Sequence, residues 1–245
     1  MLMEKNVSGF SLVEMSIVLA IIALLLGGLL PTLSAQRESQ HISETRKQLD
    51  EIQQALIGYA IINGRLPCPA DPTIPTGQTG AGVERAPPCT GNNSTGVLPW
   101  ATLGVNETDA WGNRYSYRIT DYFADAIASA TFGGSCAPSP APTLSSFALC
   151  SSGNLDVRSA ASGGTSIATD VPAIIISHGK NAAGAYTQHG DQLPVGGNAD
   201  EQENSDGSAN LNYVSHISTP SFDDHVMWLS SNILFNRMVA AGKLP

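Results

Sequence analysis

Charge is scarce in this chain: only 13% of its 245 residues are Asp, Glu, Lys or Arg. No stretch gathers Lys and Arg densely, and the net charge is −9. That excludes a phosphate-binding surface, so no nucleic acid is expected among the partners. The short signatures of catalysis are missing as well: there is no HExxH, GxSxG, Walker loop or dinucleotide-binding glycine pattern. The five histidines, at 41, 178, 189, 216 and 225, stand apart. His178 ends a predicted strand beside Gly179 and Lys180, a place where site residues do occur, yet scattered Ser, His and Asp do not make a triad. No enzyme is expected, and no catalytic residue is assigned. CxxC pairs are also lacking. Cys68, Cys89, Cys136 and Cys150 lie singly, which reads poorly as a zinc site and better as disulfides in an oxidising compartment. Three connectivities are open. Cys68–Cys89 with Cys136–Cys150 is favoured, because each bridge would staple one Pro/Gly/Ser-rich loop.

What is present is small and polar around one long apolar run. The 24 Gly and 15 Pro suggest short strands, many turns and long surface loops. The length suits one anchored domain or a domain with a modest appendage. The run is in "VSGFSLVEMSIVLAIIALLLGGLLPTL", Val7 to Leu33. Phe10 to Leu30 is 21 residues, about 31 Å as a helix, which matches a hydrocarbon core. Glu14 sits inside it, where a carboxylate costs roughly 2.5–3.5 kcal/mol at the bilayer centre and less near the interface. A secretory signal peptide would have an apolar core of about 7–15 residues followed by a small-x-small cleavage site. This core is too long, and its flank offers only Thr32-x-Ser34. A plain single-span anchor explains the length but not the acid.

Gly9-Phe10-Ser11-Leu12-Val13-Glu14, followed by an apolar helix, resembles the type IV prepilin signature. The resemblance implies cleavage by prepilin peptidase between Gly9 and Phe10, with methylation of the new amino terminus at Phe10. Residues 1–9 are then a leader left on the cytoplasmic side, where Lys5 fits the positive-inside tendency. Glu14 acquires an assembly role. Cleavage creates an ammonium four residues before it, on the same helix face, and a carboxylate near a helix amino terminus is favoured by about 0.3–1 kcal/mol. In the family picture the acid pairs with the terminal amine of a neighbouring subunit; the sequence leaves the intrachain and interchain partners both open. Pro31, with Gly27 and Gly28 before it, is expected to break or kink the helix. Many type IV pilins carry a proline at this distance from the cleavage point.

After Pro31 the chain turns amphipathic. Ile42, Leu49, Ile52, Leu56 and Tyr59 form one helical stripe, Ser34 is a candidate cap for a helix restart, and Asn63-Gly64 is a stop signal. Residues 65–108 and 133–166 read as loops. "DAWGNRYSYRIT", Asp109 to Thr120, places a Gly112-Asn113 turn before alternating Tyr115, Tyr117 and Ile119. It resembles the D-x-W-G-N-x-Y-x-Y stretch of type II secretion major pseudopilins. Ala173 to Ser177 reads as a buried strand ending in a Gly-rich turn. It is similar to the pseudopilin strand that precedes an acidic calcium loop. Here that loop would carry Asp191, Asp200, Glu201, Glu203 and Asp206, oxygens of the kind Ca2+ takes, although the order is not that of an EF-hand. No cofactor is otherwise required. Val226 to Leu229 suits a closing strand, and Asn232 to Ala241 a short helix.

The expected fold is α+β: a long amino-terminal helix, membrane-spanning over 10–33 and amphipathic over 34–63, packed on an antiparallel-sheet, pilin-like head over 64–245. The resemblance implies a subunit of a type IV pilus-like filament, and a head of over 180 residues with large Pro/Gly-rich insertions favours a minor pilin or specialised subunit over a compact major one. Its partners would be other pilin subunits, prepilin peptidase, an inner-membrane assembly platform and, before assembly, membrane lipid. The implied location is the bacterial inner membrane with the head in the periplasm, then the pilus or pseudopilus. A type II secretion pseudopilin shares these motifs. A membrane-anchored adhesin or ligand-binding head would keep Gly9–Phe10 uncut, and a secreted enzyme would be cut beyond residue 31.

Overall fold

The computed structural model describes Gly9, residues 11–207 and residues 210–244, with the backbone alone for residues 26–33. By their contacts these fall into two units that part between Ser43 and Glu44. The first unit is helical: α1 starts at Leu12 and continues to Asn63. The break expected at Pro31, with a restart capped by Ser34, is not there. A proline removes one hydrogen bond from the ladder and strains the preceding turn, but in a helix this long the turns on either side keep the rest of the ladder closed. Among the described residues no helix is long and apolar enough to cross a membrane. Of the expected span, Phe10 and the side chains of residues 26–33 lie outside the description, as do residues 1–8 of the expected leader.

The second unit is α+β. After α1 come β1 (Thr95–Val97), α2 (Trp100–Leu103), β2 (Ser116–Ile119), β3 (Leu155–Arg158), β4 (Ser166–Val171), β5 (Ala173–Ser177), α3 (Ala199–Ser205), β6 (Asn212–Val214), β7 (His225–Leu229) and α4 (Ser231–Ala240). The main sheet has the order β1-β2-β5-β7 and is antiparallel throughout. A smaller sheet, β4-β3-β6, pairs β3 antiparallel to β4 and parallel to β6. Pro172, which has no amide to give a ladder, separates β4 from β5 where the chain passes between sheets.

Both faces of the main sheet are covered, and this explains β5. Its five residues are all buried. Ala173 and Ile175 face a core shared with Leu49, Ile52 and Leu56 of α1 and Leu234 and Met238 of α4. Ile174 and Ile176 face Leu155, Val157 and Tyr213 of the smaller sheet. A strand covered on both sides reads as a continuous apolar run rather than an alternation, and each buried Ile contributes about 1.5–3 kcal/mol. On α1 the stripe keeps Leu49, Ile52 and Leu56, widened by Ile57 and Ala60, with Tyr59 at its half-buried margin. Gly64 ends the helix with φ +69°, and its N–H reaches Ala60 O at 2.8 Å. A Cβ there would stand 2.2 Å from the Leu144 carbonyl oxygen, so only glycine fits.

Three expected loops contain structure. Residues 65–108 hold β1, which lies at the sheet edge, where proline-rich flanks are tolerated. Residues 133–166 hold β3, whose apolar alternation is only Leu155 and Val157. The acidic loop holds α3, capped by Asn198, whose side chain accepts from Asp200 N. Disulfides join Cys68 to Cys89 and Cys136 to Cys150, with Cα–Cα distances of 5.7 and 5.3 Å.

Candidate functional site

At the start of α1, Ser11 and Glu14 bond each other reciprocally. Ser11 N–H donates to Glu14 Oε2 at 2.8 Å, and Glu14 N–H donates to Ser11 Oγ at 3.2 Å. This is a capping box, S-x-x-E, which satisfies two of the amides that a helix start leaves open. The sequence reading placed Glu14 against an ammonium and missed the box, although Ser11-x-x-Glu14 is its short-range signal. Gly9 is exposed; Phe10, the expected methylated residue, lies outside the described residues. The turns that follow present apolar side chains to solvent on all sides, from Leu12 at 90% exposed to Leu24 at 80%. Contiguous apolar surface of this kind marks contact with a membrane or another protein.

A second constellation forms where β5 ends. Gly179, at φ +58°, turns the chain so that the N–H groups of Lys180 and Asn181 both donate to Asp223 Oδ2 at 3.0 Å. A Cβ on Gly179 would stand 2.4 Å from the Asp223 carbonyl oxygen and 2.7 Å from its carboxylate. Glu201 of α3 accepts from Asn181 Nδ2 at 2.6 Å and from Asp223 N at 3.3 Å. Asp224 accepts from Asn204 Nδ2 at 2.8 Å. One carboxylate oxygen from each of Glu201, Asp223 and Asp224 lies within 4.8 Å of the others. Oδ1 of Asp223 and Oδ1 of Asp224 are buried without a hydrogen-bond partner among the described residues.

Of the five acids expected to surround calcium, only Glu201 is in this group. Asp200 turns to His216 Nε2 at 3.2 Å, and Glu203 accepts from Asn210 at 2.8 Å. Asp206 lines a separate cavity, and Asp191 takes no place in the cluster. Helix α3 is the reason: its turn points successive acids in different directions, whereas an extended loop would have let them converge. Asp223 and Asp224 were overlooked because they lie two residues and one residue ahead of β7, far along the chain from the acidic segment.

His178 Nε2 lies 2.8 Å from Ser116 Oγ, and His178 Nδ1 lies 3.7 Å from Asp224 Oδ1. The order is that of a Ser–His–Asp relay, but the electrostatics are not. Burial pushes His178 down to about 4 and Asp224 up to about 8. A neutral imidazole that weak is a poor acceptor for a serine proton at pH 7. A protonated Asp224 has no charge with which to steady an imidazolium, and the Nδ1–Oδ1 separation exceeds hydrogen-bond range. The arrangement as it stands does not activate Ser116.

No curated protein and no solved structure matches the chain. Residues 5–30 do match the family described as Prokaryotic N-terminal methylation motif, and with the apolar, exposed helix behind Glu14 the chain carries the signature of type IV prepilin- and pseudopilin-like proteins.

Proposed function

We propose that the chain is a structural subunit of a type IV pilus-like filament, of the minor-pilin kind. It is made as a single-span precursor in the bacterial inner membrane, with its head in the periplasm. Prepilin peptidase removes residues 1–9, Phe10 is methylated, and the processed chain joins other pilin subunits at an inner-membrane assembly platform. The observation that carries this reading is the methylation motif over residues 5–30, together with a helix start whose apolar side chains over residues 12–25 are exposed in the described chain. Burying such helices against one another as they leave the lipid supplies the assembly energy, through packing rather than through release from water. The test is the amino-terminal sequence and mass of the protein from cells with and without prepilin peptidase. A start at N-methyl-Phe10, lost without the peptidase, is expected. An intact Met1, or a start beyond Pro31, ends the proposal. A type II secretion pseudopilin would give the same result, and a secretion defect on gene deletion distinguishes it.

The acidic cluster favours a second, separable role, the binding of calcium by the head. Burial holds Asp224 protonated while no cation is near it; a cation among Glu201, Asp223 and Asp224 would displace that proton and meet the two buried carboxylate oxygens, and oxygen donors of this kind suit Ca2+. Glu201, Asp223 and Asp224 would hold the ion, which would supply charge neutralisation and tie α3 to the β5 and β7 ends. At a calcium concentration about 100-fold above Kd the gain is about 2.7 kcal/mol. For a head of this size that is a rise in Tm of roughly 5–10 °C relative to chelator, abolished in Asp223→Asn. Equal melting in calcium and chelator would dispose of the site.

A further inference from the structure

Between the Pro72–Arg85 loop, β2 and the turns after β5 lies a cavity of about 280 Å³, used by neither feature above. Arg118 lines it and is only 9% exposed. The other arginines of the head drawn in from solvent each have a carboxylate: Arg65 pairs with Glu84, Arg85 with Asp71 and Arg114 with Glu107. Among the described residues Arg118 has none within ion-pair distance. Its Nη1 is held by Thr95 Oγ1 and by Gly207 O, the latter at 2.9 Å. Nε has no hydrogen-bond partner, and Nη2 has none among the described residues.

Those two nitrogens share one edge of the planar guanidinium, and their parallel N–H groups match the two oxygens of a carboxylate. A guanidinium held away from water with that edge unspent can take up an anion there. Asp206, which also lines the cavity, does not fill the edge. Its carboxyl is pushed up to about 6, by burial first and then by Glu203, with Arg118 drawing it back down. The remaining lining that bears on recognition is uncharged and hydrogen-bonding, including Asn92, Ser116 and Gln192, with Arg85 adding positive charge. The volume lies at the small end of the range for ligand sites.

We propose that this cavity binds the carboxylate of a small solute, of monosaccharide or dipeptide size, with one oxygen on Nε and one on Nη2 of Arg118. An acidic sugar and a free peptide carboxyl terminus offer the same group. The inference does not depend on how the amino terminus is processed.

The experiment titrates the full chain in detergent, labelled with 15N at arginine, with glucuronate, N-acetyl-Ala-Ala, glucose and inorganic phosphate. Each runs to about 20 mM, beyond the millimolar Kd of weak recognition. Saturable movement of the Arg118 Nε–H signal with glucuronate or with the peptide is expected, and whichever acts names the source. Arg118→Lys, which keeps the charge but not the fork, should weaken binding about ten-fold or more. No movement with either carboxylate overturns the proposal. So does binding of glucose or phosphate as tight as that of the carboxylates, or unchanged affinity in Arg118→Lys. Should that variant fail to fold, the wild-type titration decides alone, because the Nε–H signal either moves saturably or does not.

Discussion

Glu14→Val is expected to leave the precursor made and membrane-held, yet to lower its incorporation into filaments by about two orders of magnitude or more. Within one chain the carboxylate does modest work: it completes the box with Ser11, worth about 0.5–2 kcal/mol to the helix start. The larger loss comes after cleavage. An ammonium then stands one residue before Ser11, and packing among apolar helices removes it from water. Deleting the only nearby acid strands that charge, at about 3–5 kcal/mol, or roughly 10²- to 4 × 10³-fold in the assembly equilibrium. Ser11→Ala separates the two effects, because it removes the serine half of the box and leaves the acid. Its incorporation, measured in sheared filaments, should stay near wild type. If Ser11→Ala assembles as poorly as Glu14→Val, the acid serves its own helix and the interchain role is lost. Wild-type incorporation of Glu14→Val would remove both.

In the head the largest effect is expected from Arg114→Ala, a loss of about 3–5 kcal/mol, or a fall in Tm of about 10 °C. Arg114 is wholly buried. Its Nε donates to Glu107 at 2.9 Å and its Nη1 to Pro72 O at 2.9 Å. Nη2 reaches Thr76 Oγ1 at 3.2 Å and Gln188 O at 3.3 Å, and the plane lies 4.6 Å from the Trp100 ring centroid. One side chain thus joins three loops and α2, and its removal strands Glu107 beside orphaned carbonyls. Adding Glu107→Gln should recover part of the loss, since the penalty for an unpaired buried charge is then gone. Thermal melting within about 1 kcal/mol of wild type would show that the loops hold without it.

What could be read along the chain was what neighbouring residues decide. The Gly9–Glu14 motif, the Asn63-Gly64 stop, β5 and the β7–α4 tail are all encoded within one or two turns or one strand. What could not be read depends on a second layer. Tyr115, Tyr117 and Ile119 alternate as though the other face met solvent. Instead Arg114 is buried among Pro72, Thr76, Trp100 and Gln188, and Arg118 beside Thr95 and Gly207, all of them distant in the chain. The small sheet itself left little signal, since three- and four-residue β6 and β3 carry too few apolar positions to show a period and six-residue β4 is mostly exposed. The acidic cluster is assembled from residues 181, 201, 223 and 224, which no local pattern brings together. Asn198 was the one overlooked local clue: as a helix cap it announces α3 and so disperses the acids after it.

The disulfide at Cys68 also determines how the head would bear a pull. Helix α1 ends at Asn63, and load entering through it meets Cys68 only five residues later in the chain. Across the sulfur bridge it passes straight to Cys89, so the 21-residue separation is taken out of the path. That is about 70 Å of chain which cannot be drawn out, and the 14-residue separation of Cys136 and Cys150 withholds about 45 Å more. A head with long proline- and glycine-rich excursions would otherwise be an extensible tether. Closed in this way, those two excursions add no length under tension.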